Sequence, residues 1–268
     1  MWEGKVNSTY VREWVSESNK ANIVIIHGVG EHSGRYIETA EKLFNMGFNI
    51  YTGDLIGHGL SDGLRIYIDS IDDYMINVNF FISRVKNDMP LFILGHSMGG
   101  LIVLYYMVHH KDNHIRGVIA SSPYIKDKIE IPVIKYMIGK TASAIFPKLR
   151  IESGLIGEMV CRDKEIALKY DNDPLNCSKV TARWFVELGK ARINLILQSK
   201  NFDSPCLILQ AGGDVVVDEQ SVLKFYEEVS SQDKEFVLYN EFYHEILNDP
   251  ERERVIDKIG SWISERVE

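Results

Sequence analysis

One glycine-flanked serine, Gly95-His96-Ser97-Met98-Gly99, constrains this chain more than any other five residues. Leu91-Phe92-Ile93-Leu94 precede it as a short apolar run that reads as a buried strand, and Gly100 to Val108 follow as an apolar run that reads as a buried helix. G-x-S-x-G between a strand and a helix is the pattern of a nucleophile elbow, a tight turn that holds the serine in a strained backbone conformation. Side chains two residues away would collide across that turn, which gives glycine at 95 and 99 a steric reason. The serine Oγ then projects from the carboxyl edge of the sheet, beside a helix N-terminus that favours developing negative charge. A glycine-rich βα turn with a serine N-cap shares the pattern, but it needs no acid and histidine downstream.

The surrounding sequence supplies a sheet for this turn. Residues 3–16 read as an edge hairpin. Strands are expected at 21–26, 48–51, 91–94, 117–120, 206–209 and 235–239. Helices are expected at 35–46, 70–85 and from about 251 onward, where Val255, Ile256, Ile259, Trp262 and Ile263 recur at helical spacing. Alternation of this kind predicts an α/β fold with a mostly parallel central sheet flanked by helices, its ligand site beyond the strand carboxyl ends. Between Pro123 and Lys200 the alternation stops. Ile131–Ile145, Glu165–Tyr170 and Thr181–Leu197 instead read as helices, and about 75 residues exceed what one crossover needs. The expected division is a core of 1–123 and 201–268 with an inserted helical cap, or lid, at 124–200.

Nucleophilic serine chemistry needs a base for the Oγ proton and an acid to orient that base. In this kind of fold the chain order is serine, acid, histidine. Asp214 follows Ala211-Gly212-Gly213 directly after a strand, at the same sheet edge. Its rival Asp218 precedes Glu219-Gln220-Ser221 and looks like a helix N-cap. His244 lies in the loop after the last strand and is the only histidine beyond His114. Two backbone N–H groups should face the oxyanion: that of Met98, at the helix start, and that of Val29, in His27-Gly28-Val29-Gly30. His27 itself reads as a structural residue that bonds within its loop.

Composition narrows the class. With 45% hydrophobic residues among 268, the chain can form one large core with an inserted subdomain. A formal net charge of -8 disfavours nucleic acid. No run approaches the length of a membrane-spanning helix, and Met1 to Lys5 show no apolar signal region. Cys161, Cys177 and Cys206 are odd in number, far apart and without C-x-x-C spacing, which suggests neither a disulfide scaffold nor a zinc site and points to a reducing cytoplasm. The proposed chemistry requires no metal and no organic cofactor.

His27 to Tyr36, Asp54 with Gly57-His58-Gly59-Leu60-Ser61-Asp62-Gly63, and Gly95 to Gly100 together resemble the monoacylglycerol lipase and lysophospholipase group of α/β-hydrolases. The segments Gly212-Gly213-Asp214 and Tyr243-His244-Glu245 fit the same pattern, and the resemblance spans about residues 20–268. It implies an α/β-hydrolase fold and catalysis by Ser97, Asp214 and His244, with Val29 and Met98 as oxyanion donors. The implied substrate is a single-chain lipid ester, a monoacylglycerol or a lysophospholipid. For such a substrate the apolar helix at Ile134–Ile145 would line an acyl-chain tunnel, and an exposed apolar cap would touch membranes or micelles transiently. The same three residues also support peptidase or carbon–carbon hydrolase chemistry. An aminopeptidase would need cap acids for a substrate amine, for which Glu152, Glu158 and Glu165 are available. A non-catalytic binding protein on this fold would be expected to show a broken triad.

Overall fold

Strand-forming runs rich in isoleucine and valine set the frame. The computed structural model describes residues 1–86, 88–110, 114–129 and 133–267. In chain order it places β1 (Trp2–Val6), β2 (Thr9–Trp14), β3 (Ala21–Ile26), α1 (Ile37–Asn45), β4 (Phe48–Gly53), α2 (Asp72–Arg84), β5 (Leu91–His96), α3 (Met98–His110) and β6 (Ile115–Ser121). An insertion follows: α4 (Val133–Ile145), β7 (Arg150–Glu152), α5 (Gly157–Val160), α6 (Lys164–Asn172), β8 (Lys179–Thr181) and α7 (Ala182–Leu197). The chain then returns to the sheet through β9 (Cys206–Ala211), α8 (Glu219–Glu228), β10 (Lys234–Tyr239) and α9 (Arg252–Ser264).

Eight strands form one sheet in the order β1-β2-β4-β3-β5-β6-β9-β10. The first two make the expected edge hairpin and pair antiparallel, as do β2 and β4. Every pairing from β4 to β10 is parallel. Each residue of β3, β4, β5 and β9 is buried, as a sheet covered on both faces requires. Alternation along β3 sorts the two faces. Ile23 and Ile25 join Leu43 of α1 and Trp262 of α9 on one side; Val24 and Ile26 join Val78 of α2 and Leu101 of α3 on the other. α3 is apolar almost all round because it is enclosed by sheet, α2 and α7.

The six strand readings fall on β3, β4, β5, β6, β9 and β10, and the structure extends several of them. α3 starts at Met98 rather than Gly100, and the helix expected from Arg35 is a 3-10 turn at Ser33–Tyr36 before α1. In the insertion, α4, α6 and α7 match the three expected helices; Ile131 lies outside the described residues. α5 and the antiparallel β7–β8 pair, with Arg150 opposite Thr181, are additional. Their three- and four-residue lengths leave no periodic signal in a sequence. The insertion is tied to the core at named points. Thr181 caps α7 by accepting from the Trp184 amide at 3.3 Å, and the Trp184 indole donates to the Tyr74 hydroxyl of α2 at 2.9 Å. Among the described residues, no helix is long and apolar enough to cross a membrane.

Candidate active site

β5 ends at His96 and α3 begins at Met98, so Ser97 alone makes the turn, at φ +53°. An L-residue there costs about 1–2 kcal/mol. Three backbone bonds hold it: the Ser97 amide donates to Ser121 O at 2.9 Å, and the Ser97 carbonyl accepts from Leu101 and Tyr124 at 3.0 Å each. A Cβ on Gly95 would run into the Gly99 carbonyl, the collision expected across the elbow. A Cβ on Gly99 would instead strike the Ile26 carbonyl, so Gly99 serves the close approach of α3 to β3.

The structure brings the three separated residues together. The Ser97 hydroxyl donates to His244 Nε2 at 2.8 Å, and His244 Nδ1 donates to Asp214 Oδ2 at 2.8 Å. All three are buried. Asp214 Oδ1 accepts from the amides of Val216 and Val217 at 2.8 and 2.9 Å, and Gln210 Nε2 donates to Oδ2 at 3.2 Å. Burial disfavours the Asp214 carboxylate, but the His244 charge and these hydrogen bonds outweigh it and hold the pKa below the ordinary value. Burial likewise opposes the His244 imidazolium; the charge of Asp214 and its hydrogen bond prevail and lift His244 above its ordinary value. Asp218 caps α8, accepting from the Ser221 amide at 3.2 Å, as its sequence context suggested. His96 packs its ring 4.9 Å from that of His244, and burial, with the neighbouring His244 charge, pushes it down to about 3. It is therefore a neutral spacer at ordinary pH.

Val29 and Ser97 both line the cavity described below, and Met98 opens α3. Among the described residues, the amides of Val29 and Met98 donate to no other backbone group. His27 is structural, donating from Nδ1 to Gly28 O at 2.7 Å and accepting from the Leu55 amide at 2.9 Å. Asp54 is a second organiser: it accepts from the Ser33 amide at 2.9 Å and the Leu60 amide at 2.7 Å, joining the 57–63 loop to the loop bearing Val29. Gly59, at φ +46°, packs so closely on the Asp54 carboxylate that a Cβ would collide with it.

Sequence reasoning missed a buried network behind the triad. Glu31 accepts from the Gly28 amide at 2.6 Å, the Tyr36 hydroxyl at 2.6 Å and Arg35 Nε at 3.0 Å. The other arm of Arg35 pairs with Glu245, the neighbour of His244. Burial works against both carboxylates; Arg35 overcomes it at Glu31, whose pKa is lowered, whereas Glu245 is raised. One guanidinium thus links the loop carrying Val29 to the loop carrying His244, and Tyr170 of α6 lies under it at 4.7 Å. The i, i+4 spacing of Glu31 and Arg35 was the available signal; Glu245 and Tyr170 are distant in sequence.

Above Ser97 lies a cavity of about 660 Å³. Its walls are mainly apolar: Val29 and Val216 from the core loops, Ile138 and Ala142 from α4, Leu149 before β7, and Trp184 from α7. The volume lies within the range of about 300–1,000 Å³ usual for small-molecule sites. Two carboxylates reach the lining, and each is paired. Asp127 binds Arg192 of α7 and the Tyr124 hydroxyl, both at 2.5 Å, and Glu152 binds Lys179 at 3.0 Å. Glu158 and Glu165 do not line the cavity. Among the described residues, no cluster of three or more His, Cys, Asp or Glu side chains is placed to hold a metal ion.

Residues 17–251 match the family model described as serine aminopeptidase, S33. The chain is 35% identical over 244 residues to phospholipase YtpA of Bacillus subtilis, covering 90% of this chain and 94% of that one. It is 30% identical to monoglyceride lipase of Rattus norvegicus, covering 96% of this chain and 87% of the relative. The crystal structure of Paleococcus ferrophilus monoacylglycerol lipase superposes with a TM-score of 0.89 at 28% identity, covering 96% of this chain and 99% of that one.

Proposed function

The chain belongs to the serine aminopeptidase S33 family of α/β-hydrolases, and from that membership we propose that it is a serine hydrolase of single-chain lipid esters, acting on monoacylglycerols through Ser97. The observation that carries this reading is the relay from Asp214 through His244 to Ser97, which opens into a mainly apolar cavity of about 660 Å³. His244 Nε2 takes the Ser97 proton as Oγ attacks the ester carbonyl. The oxyanion is met by the amides of Val29 and Met98. The intermediate collapses, the C–O bond to glycerol breaks, and His244 returns the proton to the departing alcohol. Water then repeats the sequence on the acyl-enzyme and releases the fatty acid. Asp214 keeps the Nδ1 proton in place and stabilises the imidazolium.

In this reading 124–200 is a cap on a core of 1–123 and 201–268, and its α4 and α7 form the chamber for the acyl chain. Burying each methylene there is worth about 0.8 kcal/mol, so the chain supplies most of the binding. The cap's exposed apolar residues support transient contact with membranes or micelles. The 35% identity to a phospholipase favours lysophospholipids as a second substrate class. An aminopeptidase reading is weaker, because an amine site needs an uncommitted carboxylate and both acids in the lining are paired.

Ser97→Ala should lower hydrolysis of a monoacylglycerol by about 10⁶-fold and abolish labelling by a fluorophosphonate, with an unchanged circular dichroism spectrum. Retained hydrolysis in that variant overturns the assignment. Comparing monoacylglycerols, lysophospholipids and a prolyl amide on the wild type decides among the substrate classes.

A further inference from the structure

β1 ends the sheet and carries its own complement. It stands at one end of the strand order, and among the described residues it pairs with β2 alone, in an unbroken register from Trp2–Glu13 to Val6–Thr9. An uncovered sheet edge invites another strand, and folds usually blunt it with proline, a bulge or unmatched charge. Trp2-Glu3-Gly4-Lys5-Val6 holds no proline, and its one lysine is matched by a glutamate two residues away. Alternation places Glu3 and Lys5 on one face and Trp2, Gly4 and Val6 on the other, where Val6 packs against the α2 side of the core. Trp2 is 47% exposed, and its ring lies over Gly4, 3.3 Å from where a Cβ would stand. Glu3 and Lys5 are exposed as well; Arg12 reaches Glu3 at 3.0 Å, and Lys5 pairs with Asp62.

We propose that β1 is a self-association edge, to which a second copy of this chain adds its own β1 antiparallel about a two-fold axis at Gly4. The residues of the strand specify this register. With Gly4 opposite Gly4, Glu3 of each copy lies opposite Lys5 of the other and Trp2 opposite Val6. A slip of one residue would turn the charged face of one copy to the apolar face of the other. A slip of two keeps the faces but brings Glu3 against Glu3, or Lys5 against Lys5, and like charges directly opposite are destabilising. The paired glycines leave space over the junction, and the two Trp2 rings close it from either side, each gaining cover that it lacks in the single chain. The contact is isologous and closes at two copies, so it consumes the edge that it uses. Five residues a side make a small contact, so the dimer is weak, with a dissociation constant on the order of 10–100 µM. Three strands, β2, β4 and β3, separate β1 from β5, about 19 Å at ordinary strand spacing, so the association stands independently of the chemistry at Ser97.

Sedimentation velocity from about 1 µM to about 1 mM tests this, and the wild type is expected to pass from monomer to dimer across that range. Lys5→Glu and Glu3→Lys should each weaken the dimer about 10- to 100-fold, because each turns two opposite-charge pairs into like-charge pairs. An equimolar mixture of the two variants restores opposite charges at both pairs and should dimerise at close to the wild-type concentration. The variants lose the Lys5–Asp62 and Glu3–Arg12 pairs within the chain, and the mixture carries the same losses, so its recovery can come only from the contact between copies. Each variant should keep the wild-type circular dichroism spectrum. A wild type that stays monomeric at about 1 mM overturns the proposal, as does a dimer indifferent to both reversals, or a mixture that associates no better than either variant alone.

Discussion

The sheet edge and the proposed cap at 124–200 solve opposite problems. At the sheet edge the atoms around the triad are over-determined. Ser97 is pinned by three backbone bonds, Asp214 by bonds from Val216, Val217 and Gln210, and the Val29 loop by Glu31, Asp54 and His27. In the cap, short β7, α5 and β8 lie between the longer α4 and α7, apolar side chains face outward, and the cavity walls come from α4, α7 and the loop before β7. A preorganised edge suits transition-state stabilisation, where displacement of about 1 Å can cost 10²-fold in rate. A mainly apolar roof suits a substrate that is itself a flexible chain. Turnover should therefore be decided at the edge and selectivity in the cap.

The sharpest break with this division would be an edge substitution that leaves turnover intact. Asp214→Asn should lower kcat by about 10⁴-fold while retaining the fold. Its pH profile is equally informative. His244 must be neutral to act as base, and its folded pKa lies above 6.5, so kcat/KM in the wild type should fall as pH drops through a midpoint above 6.5. Removing the Asp214 charge takes away what holds that pKa up, so the residual activity of the variant should retain its acid limb at lower pH. A wild-type midpoint below 6.5 would contradict the geometry.

Next in size is Glu31→Gln, which keeps a group that can accept from the Gly28 amide but removes the charge opposite Arg35. A loss of roughly 10- to 100-fold is expected, carried by kcat with KM little changed, because the loop bearing Val29 is loosened but the cavity is not. A loss confined to KM would move the Glu31–Arg35 network out of the edge and into substrate binding. The smallest effect belongs to the cap. Ala142→Phe fills part of the cavity and should shift the preferred acyl chain toward shorter lengths, at about fourfold in kcat/KM per methylene excluded, with short esters turned over as before. A uniform collapse across all chain lengths would show that the cap helps to build the edge.

The same contrast explains what the amino-acid sequence discloses. The edge is local and periodic: Ile23 to Ile26, the elbow glycines and the loops after β9 and β10 each carry their signal within a few residues, so Ser97, Asp214 and His244 could be named and the structure brings them into contact. Asp218 was separable from Asp214 because an N-cap has its own short pattern. The cap resists such reading. β7 and β8 pair across about 30 residues with only three residues each, and α5 is a single turn. Asp127 and Arg192, which join the loop after β6 to α7, and Arg35 with Tyr170 are partners that only the folded chain brings together. Periodicity finds what packs on a sheet; it is silent about charges that meet across an insertion.

The left-handed backbone of Ser97 carries an evolutionary consequence. The fold bears about 1–2 kcal/mol at that position for any side chain and almost nothing for glycine. A lineage released from hydrolysis would find Ser97→Gly both accessible and stabilising. Conservation of serine at the turn thus measures continuing selection for chemistry, and its replacement by glycine in a descendant would mark retirement of the enzyme rather than decay of the fold.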